Sequence, residues 1–241
     1  GDVDLGAFTD ITMFTLVSAA SLDVTNASTA TTADVTGATG ATLRFNGDLD
    51  VTTLTANTGN YDLELNGAGS SIQNAFNPAN GGSVQLNGVT LESGGNLAAQ
   101  TTTFDGDTVV ANGDTTFGAI EVTADTTFSD GGNTVTIATI IEAGGAASSD
   151  LIITNDGDLT VTGAIGATPI DTLTVNGTGT FTFGGGTIDI SGNTSVFNTP
   201  VTLTADTVIT DAGSITFNNT VDADAGVRSL TLDAGAGVTF A

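Results

Sequence analysis

The sequence predicts an all-β protein, a right-handed parallel β-helix (β-solenoid) of about eleven coils with about 21 residues per coil. Three observations carry that reading. Ten apolar strands run into an Asn- or Asp-bearing turn, at Asn26, Asn46, Asn66, Asn87, Asp105, Asp130, Asn155, Asn176, Asn198 and Asn218, and Phe240 arrives where an eleventh would fall. Within the repeats, apolar and polar residues alternate with the period of two that a strand imposes, without helical spacing. The composition, with 33 Gly and threonine at about a fifth of 241 residues, suits pleated strands and tight turns. Anchor spacings of 18 to 25 do not keep the six-residue unit of a left-handed hexapeptide helix, which leaves a right-handed coil tolerant of insertions. A β-sandwich also uses short strands, with turns every 8 to 12 residues or so, but a near-constant anchor spacing favours the solenoid.

Residues 1–21 read as an atypical N-terminal cap or docking segment. They hold the densest apolar run of the chain, Ile11 to Val17, and a solenoid needs its end coil covered. Residues 22–241 are the repeats. Leu22 and Val24 point in, with Asp23 and Thr25 out; the same parity recurs at Leu43 and Phe45, Leu63 and Leu65, Val84 and Leu86, Ile120 and Val122, and onward to Leu230 and Leu232. A second short strand follows many anchors, as at Leu49 and Val51 or Val89 and Leu91, so each coil returns above its own start. Two excursions interrupt the pattern, the turn-rich loop 73–83 and the small-residue loop Ala143 to Asp150. The C-terminal Gly237 to Ala241 stops in mid-strand, so Phe8, Ile11, Met13, Phe14, Leu16 and Val17 at one end and Val238 and Phe240 at the other are the expected assembly interface.

Charge narrows the partners. Twenty-seven acidic residues, 23 of them Asp, face only Arg44 and Arg228, for a formal charge of −25. Nucleic acid, anionic membrane surfaces and phosphorylated ligands are poor partners for such a chain, whereas cations are favoured. No stretch approaches the roughly 20 apolar residues of a membrane-spanning helix. Cys is absent, which removes disulfides and thiolate metal sites.

The same inventory bears on catalysis. Without His, Cys or Lys the Ser-His-Asp, Cys-His and Schiff-base mechanisms have no base or nucleophile, so the chain reads as a non-enzyme. No cofactor is required. Calcium is the one ion the sequence raises, through Asx-Gly-Asp turns whose hard oxygens, at Asp48, Asp105, Asp107, Asp114, Asp156 and Asp158, suit it. The same words are ordinary turn vocabulary, and neither the nine-residue Gly-rich calcium repeat nor an EF-hand loop is present. Carboxylates stacked one coil apart would repel by roughly 0.9 kcal/mol in water. Thr-x-Thr pairs such as Thr160/Thr162 and Thr202/Thr204 raise an ice-binding face, but they occur irregularly along the sequence. Asn26, Asn176, Asn193 and Asn218 open Asn-x-Ser/Thr sequons.

The wording of Val201 to Ile209, Gly213 to Val221 and Ser229 to Phe240 resembles the β-strand repeats of giant bacterial surface proteins related to filamentous haemagglutinins and autotransporter passengers. The resemblance covers roughly residues 22–241 and implies a right-handed β-helix, export to the cell exterior, and an adhesive or scaffold role; it brings no catalytic residue. The expectation is therefore an extracellular, cell-surface structural solenoid. Its partner would be another copy in a head-to-tail polymer or the flanking repeats of a longer chain. The competing expectation is a module that holds a glycan or calcium through its loops and its outward Thr, Asn and Asp.

Overall fold

A computed structural model describes residues 1–40, 42–143, 149–192 and 194–241. Every strand pairing among them is parallel, and each strand lies beside its counterpart one coil away. The result is a parallel β-solenoid. One sheet is twelve strands deep, from Ile11–Thr15 to Gly237–Phe240, and the sheet facing it has sixteen strands.

A single inward rank shows why the sequence closes into this shape. Val3, Leu22, Leu43, Leu63, Val84, Thr102, Ile120, Ile140, Ile165, Ile188, Ile209 and Leu232 are register partners in unbroken succession through twelve coils. The shortest steps are 18 residues, Val84 to Thr102 and Thr102 to Ile120, and the longest is 25, Ile140 to Ile165. Uneven spacing in sequence is therefore absorbed at corners and bulges, and the ladder keeps its register. On the facing sheet a second rank runs Val109, Phe128, Ile153, Val175, Phe197, Phe217 and Phe240. Its last three rings are nearly parallel, with centroids 5.0 Å and then 5.2 Å apart. Burying each such side chain contributes about 1.5–3 kcal/mol, repeated coil by coil.

The cross-section changes along the rod. Coils up to Thr154 use two strands each; three of them contain the long strands Gly95–Asp105, Thr115–Ala124 and Thr134–Glu142. Thr134–Glu142 then pairs with two separate strands of the next coil, Asp158–Val161 and Ile165–Ile170, and the sixteen-stranded sheet forks there. From that point each coil has three strands.

Residues 1–21 contribute Asp2–Leu5 and Ile11–Thr15, which pair with Ser21–Val24 and Ser28–Asp34 and so build a coil of the same kind as the rest. Leu230 and Leu232, although they point inward, are only half-buried because they belong to the last coil.

Thr102 is the one polar member of the long aliphatic rank. It is fully buried and its hydroxyl has no hydrogen-bond partner. A buried unpaired hydroxyl is destabilising, so Thr102→Val is expected to raise stability by about 1 kcal/mol. The reverse change one coil on, Ile120→Thr, is expected to cost about 2 kcal/mol. Urea unfolding midpoints of the two variants check both signs.

Candidate functional site

The Asx anchors, which in sequence form one series, occupy two different corners of the coil. Asn26, Asn46, Asn66, Asn87 and Asp105 sit where the chain leaves the sixteen-stranded sheet for the twelve-stranded one; Asp130, Asn155, Asn176, Asn198 and Asn218 sit where it returns. The 25-residue step between Asp105 and Asp130 hides the change of corner. At both corners the carboxamides form ladders. Asn66 Nδ2 donates to Asn46 Oδ1 at 3.0 Å, and Asn46 Nδ2 to Asp23 Oδ1 at 2.8 Å. On the other corner Asn218 Nδ2 donates to Asn198 Oδ1, and Asn198 Nδ2 to Asn176 Oδ1, both at 2.6 Å.

At Gly47 and Gly67 the glycine after the anchor has a different reason from the one its turn vocabulary implies, whereas Gly88, Gly106, Gly131 and Gly177 do take the left-handed backbone. A Cβ on Gly47 would lie 2.1 Å from the Asn26 carbonyl carbon, and one on Gly67 would lie 2.4 Å from the Asp48 nitrogen. Close approach of the coil below demands glycine there, and at Gly88 a left-handed backbone, with φ of +66°, adds to an approach of 2.4 Å to the Ala68 Cα.

Corner carboxylates mostly cap the next coil. Asp48 Oδ1 accepts the Gly69 N–H at 2.9 Å, Asp62 Oδ1 the Ser83 N–H at 2.8 Å, and Asp114 Oδ1 the Thr134 N–H at 3.0 Å. Asp156 Oδ1 accepts the Thr178 N–H at 3.1 Å, and Asp206 Oδ1 the Ser229 N–H at 2.8 Å. Asp105 accepts from Gln85 Nε2 at 3.1 Å and from the Thr123 hydroxyl at 2.6 Å. Asp130, fully buried, gathers the N–H groups of Gly132, Asp156 and Gly157.

Of the six candidate calcium ligands, Asp114, Asp156 and Asp158 line one surface cavity of about 400 Å³. Asp48, Asp105 and Asp107 lie at the opposite corner. Among the described residues no group of three or more acidic side chains is placed to hold a metal ion.

Stacked carboxylates turn out to be rare. In the paired strands, Asp4 over Asp23 is the one acid-on-acid step among the described residues. Asp158 lies between Thr134 and Thr180, Asp50 between Thr29 and Ser71, and Thr210 between Asp189 and Asp233. Arg44 occupies the rank of Asp4, Asp23 and Glu64, and donates two hydrogen bonds to Glu64. Hydrogen bonding to Glu64 and its charge raise the Arg44 pKa. Arg228 forks onto Asp224 at 2.8 and 2.9 Å.

The outward threonines are more regular than their sequence suggests. Thr116, Thr136, Thr160, Thr182 and Thr202 are successive register partners, a rank five coils deep. It is a single rank, because two positions further on stand Gly118, Ala138, Thr162, Gly184 and Thr204.

Small inward hydroxyls at the corners carry a role that the alternation alone does not reveal. Ser28 accepts the Phe8 N–H, Ser70 the Leu49 N–H and Thr126 the Gly106 N–H, each 20 or 21 residues away. Ser28 also donates to the Asn26 carbonyl, so the third residue of the Asn26 sequon is buried in the corner while Asn26 itself is exposed. The available signal was position: a Ser or Thr at the inward phase where a strand of the twelve-stranded sheet begins. Asn193 and residues 144–148 of the second loop lie outside the described residues.

The predicted assembly residues divide. Phe8 and Leu16 are buried within the chain, and Phe8 stacks on Phe14 at 4.5 Å. Ile11 and Phe14 are half-buried against the core. Met13, Val17, Val238 and Phe240 are exposed, Val17 by 84% and Phe240 by 61%.

Comparison with known proteins adds no relative: no family model, no curated protein and no solved structure matches this chain.

The N–H and hydroxyl of Ser229, with Arg228 nearby, hold the Asp206 carboxyl below its ordinary range; Arg228 and the Gly226 N–H do the same for Asp224. Both contribute stability that is complete above the unfolded value near 3.9 and is lost as pH falls through the lower folded values. The thermal midpoint is therefore expected to fall between about pH 5 and pH 2, and by less in Asp206→Asn. Thermal unfolding in calcium, magnesium and chelator tests the Asp114 cavity. A higher midpoint is expected in either salt, with equal shifts marking screening and an excess for calcium marking a coordinated ion.

Proposed function

We propose that this chain is a non-enzymatic structural solenoid of the cell exterior, a segment of a bacterial surface filament or adhesin stalk. The observation that carries this reading is the unbroken register of the inward ranks, the aliphatic one from Val3 to Leu232 and the one in which Phe240 stacks on Phe217, since each coil covers the apolar face and the backbone edge of its neighbour. The edge of the same strand, Gly237–Phe240, carries parallel-ladder groups with a partner on one side only. An apolar, hydrogen-bonding edge is a template for another strand. We assign that place to the first coil of a second copy, stacked head to tail, or to flanking coils of a longer chain.

Three further features support the reading. The likeness of the repeats to those of haemagglutinin-related surface proteins points to an exterior scaffold. The side-chain hydrogen bonds of the corners are spent largely on coil-to-coil contacts, as length and stiffness require. The chain has no Lys and two Arg, which leaves few sites for trypsin-like proteases. A second reading, a ligand-binding module, is favoured at one place only, beside the 73–83 loop.

Twelve coils at the spacing of paired strands make a rod roughly 58 Å long. Negative-stain electron microscopy at rising concentration is expected to show filaments with that axial repeat, and Phe240→Asp is expected to return them to single rods. Single rods at every concentration in the unsubstituted chain would remove self-assembly and leave the role of a segment within a longer stalk.

A further inference from the structure

The 73–83 loop is held rigid by its surroundings. Phe76 is fully buried and forms an isolated parallel bridge to Gly95, with its N–H on the Gly94 carbonyl at 3.0 Å. Gln100 Nε2 donates to the Pro78 carbonyl at 3.2 Å, the Asn96 N–H to Asn77 Oδ1 at 2.9 Å, and the Gly81 N–H to the Gly59 carbonyl at 2.7 Å. Between the 77–81 turn and the strand residues Asn96, Ala99 and Gln100 lies a cavity of about 550 Å³. That volume falls in the range of small-ligand sites, and the clamps mean that its walls need little ordering on binding.

Its chemistry sets it apart. Four other surface cavities of the described residues each carry acid: Asp10 and Asp50 in one, Asp114 in the second, Asp107 in the third and Asp62 in the fourth. This one has no charged lining residue, in a chain of net charge −25. Its polar groups are the carboxamides of Asn77, Asn80, Asn96 and Gln100, and its apolar surface comes from Pro78, Ala79 and Ala99. Asn80 is 98% buried; its Nδ2 holds the Tyr61 and Ser83 carbonyls, at 3.0 and 3.1 Å, and its Oδ1 has no partner.

We propose that this cavity binds a neutral oligosaccharide. Carboxamides offer donors and acceptors together, as sugar hydroxyls require. Pro78 and the two alanines face the C–H groups of the ring. The field of the acidic chain repels an anionic sugar, and a metal cation finds no carboxylate here. The inference goes beyond the structural reading and does not rest on it, since the cavity belongs to one rod whether or not rods assemble.

The test uses the ¹⁵N-labelled 241-residue chain titrated separately with maltose, lactose, chitobiose and digalacturonic acid. At least one neutral disaccharide is expected to bind with millimolar affinity and to shift amides confined to residues 77–81 and 96–100, while the acidic one leaves them in place. Ala99→Trp and Ala79→Trp fill the cavity from opposite lips at exposed positions, without touching a clamp, and each is expected to weaken binding by about tenfold or more. Absence of shifts with all three neutral sugars overturns the proposal. So do shifts unaltered in both variants, or equal binding of the acidic sugar.

Discussion

Parallel, in-register pairing of each strand with its own counterpart is the constraint on which this molecule depends. It puts every residue directly above and below residues of the same station, roughly 4.8 Å away. An error at one station is therefore felt by two neighbours, and a favourable choice is reinforced by two. Aliphatic residues answer by forming a rank from Val3 to Leu232, phenylalanines by stacking, and carboxamides by passing hydrogen bonds from Asn176 through Asn198 to Asn218.

The acidity of the chain is accommodated under the same constraint. If carboxylates shared a station through several coils, their repulsion would accumulate with almost nothing positive to offset it. The register instead sets Asp against Thr or Ser and places one of the two arginines in the single rank where acids crowd. At the corners, where the ladder leaves backbone N–H groups over, aspartates accept them. Asp206 and Asp224 show the electrostatic signature of such contacts, whereas burial and the charge of Asp48 push the Asp50 carboxyl up. The same side chains that suggest calcium in sequence are thus largely engaged in holding one coil to the next.

Much of the fold was legible because alternation is local: Leu43 and Phe45, or Phe181 and Phe183, declare their face from two residues of context. The coil length was legible from the anchors. That the anchors change corner was not, because Asp105 and Asp130 look alike in sequence and only strand pairing tells the two turns apart. The rank of Thr116, Thr136, Thr160, Thr182 and Thr202 was hidden by steps of 20 to 24 residues, which read as irregular until corners absorb the difference. The reason for Gly47 and Gly67 lies in another coil's backbone, which no local pattern contains. The loop was visible as an interruption, but its neutrality acquires meaning only when Asn80 and Gln100, twenty residues apart, meet across a cavity.

The fork above Thr134–Glu142 bears on how such a chain can grow by gene duplication. In a uniform solenoid any coil may be copied in beside any other, since each meets only its neighbours. Here a two-stranded coil fits between coils below Glu142 and a three-stranded one between coils above Asp158. The fork itself is the one joint that accepts a different outline on each side. Recombination within either half can lengthen the rod, whereas exchange between the halves leaves a strand without a shelf to lie on.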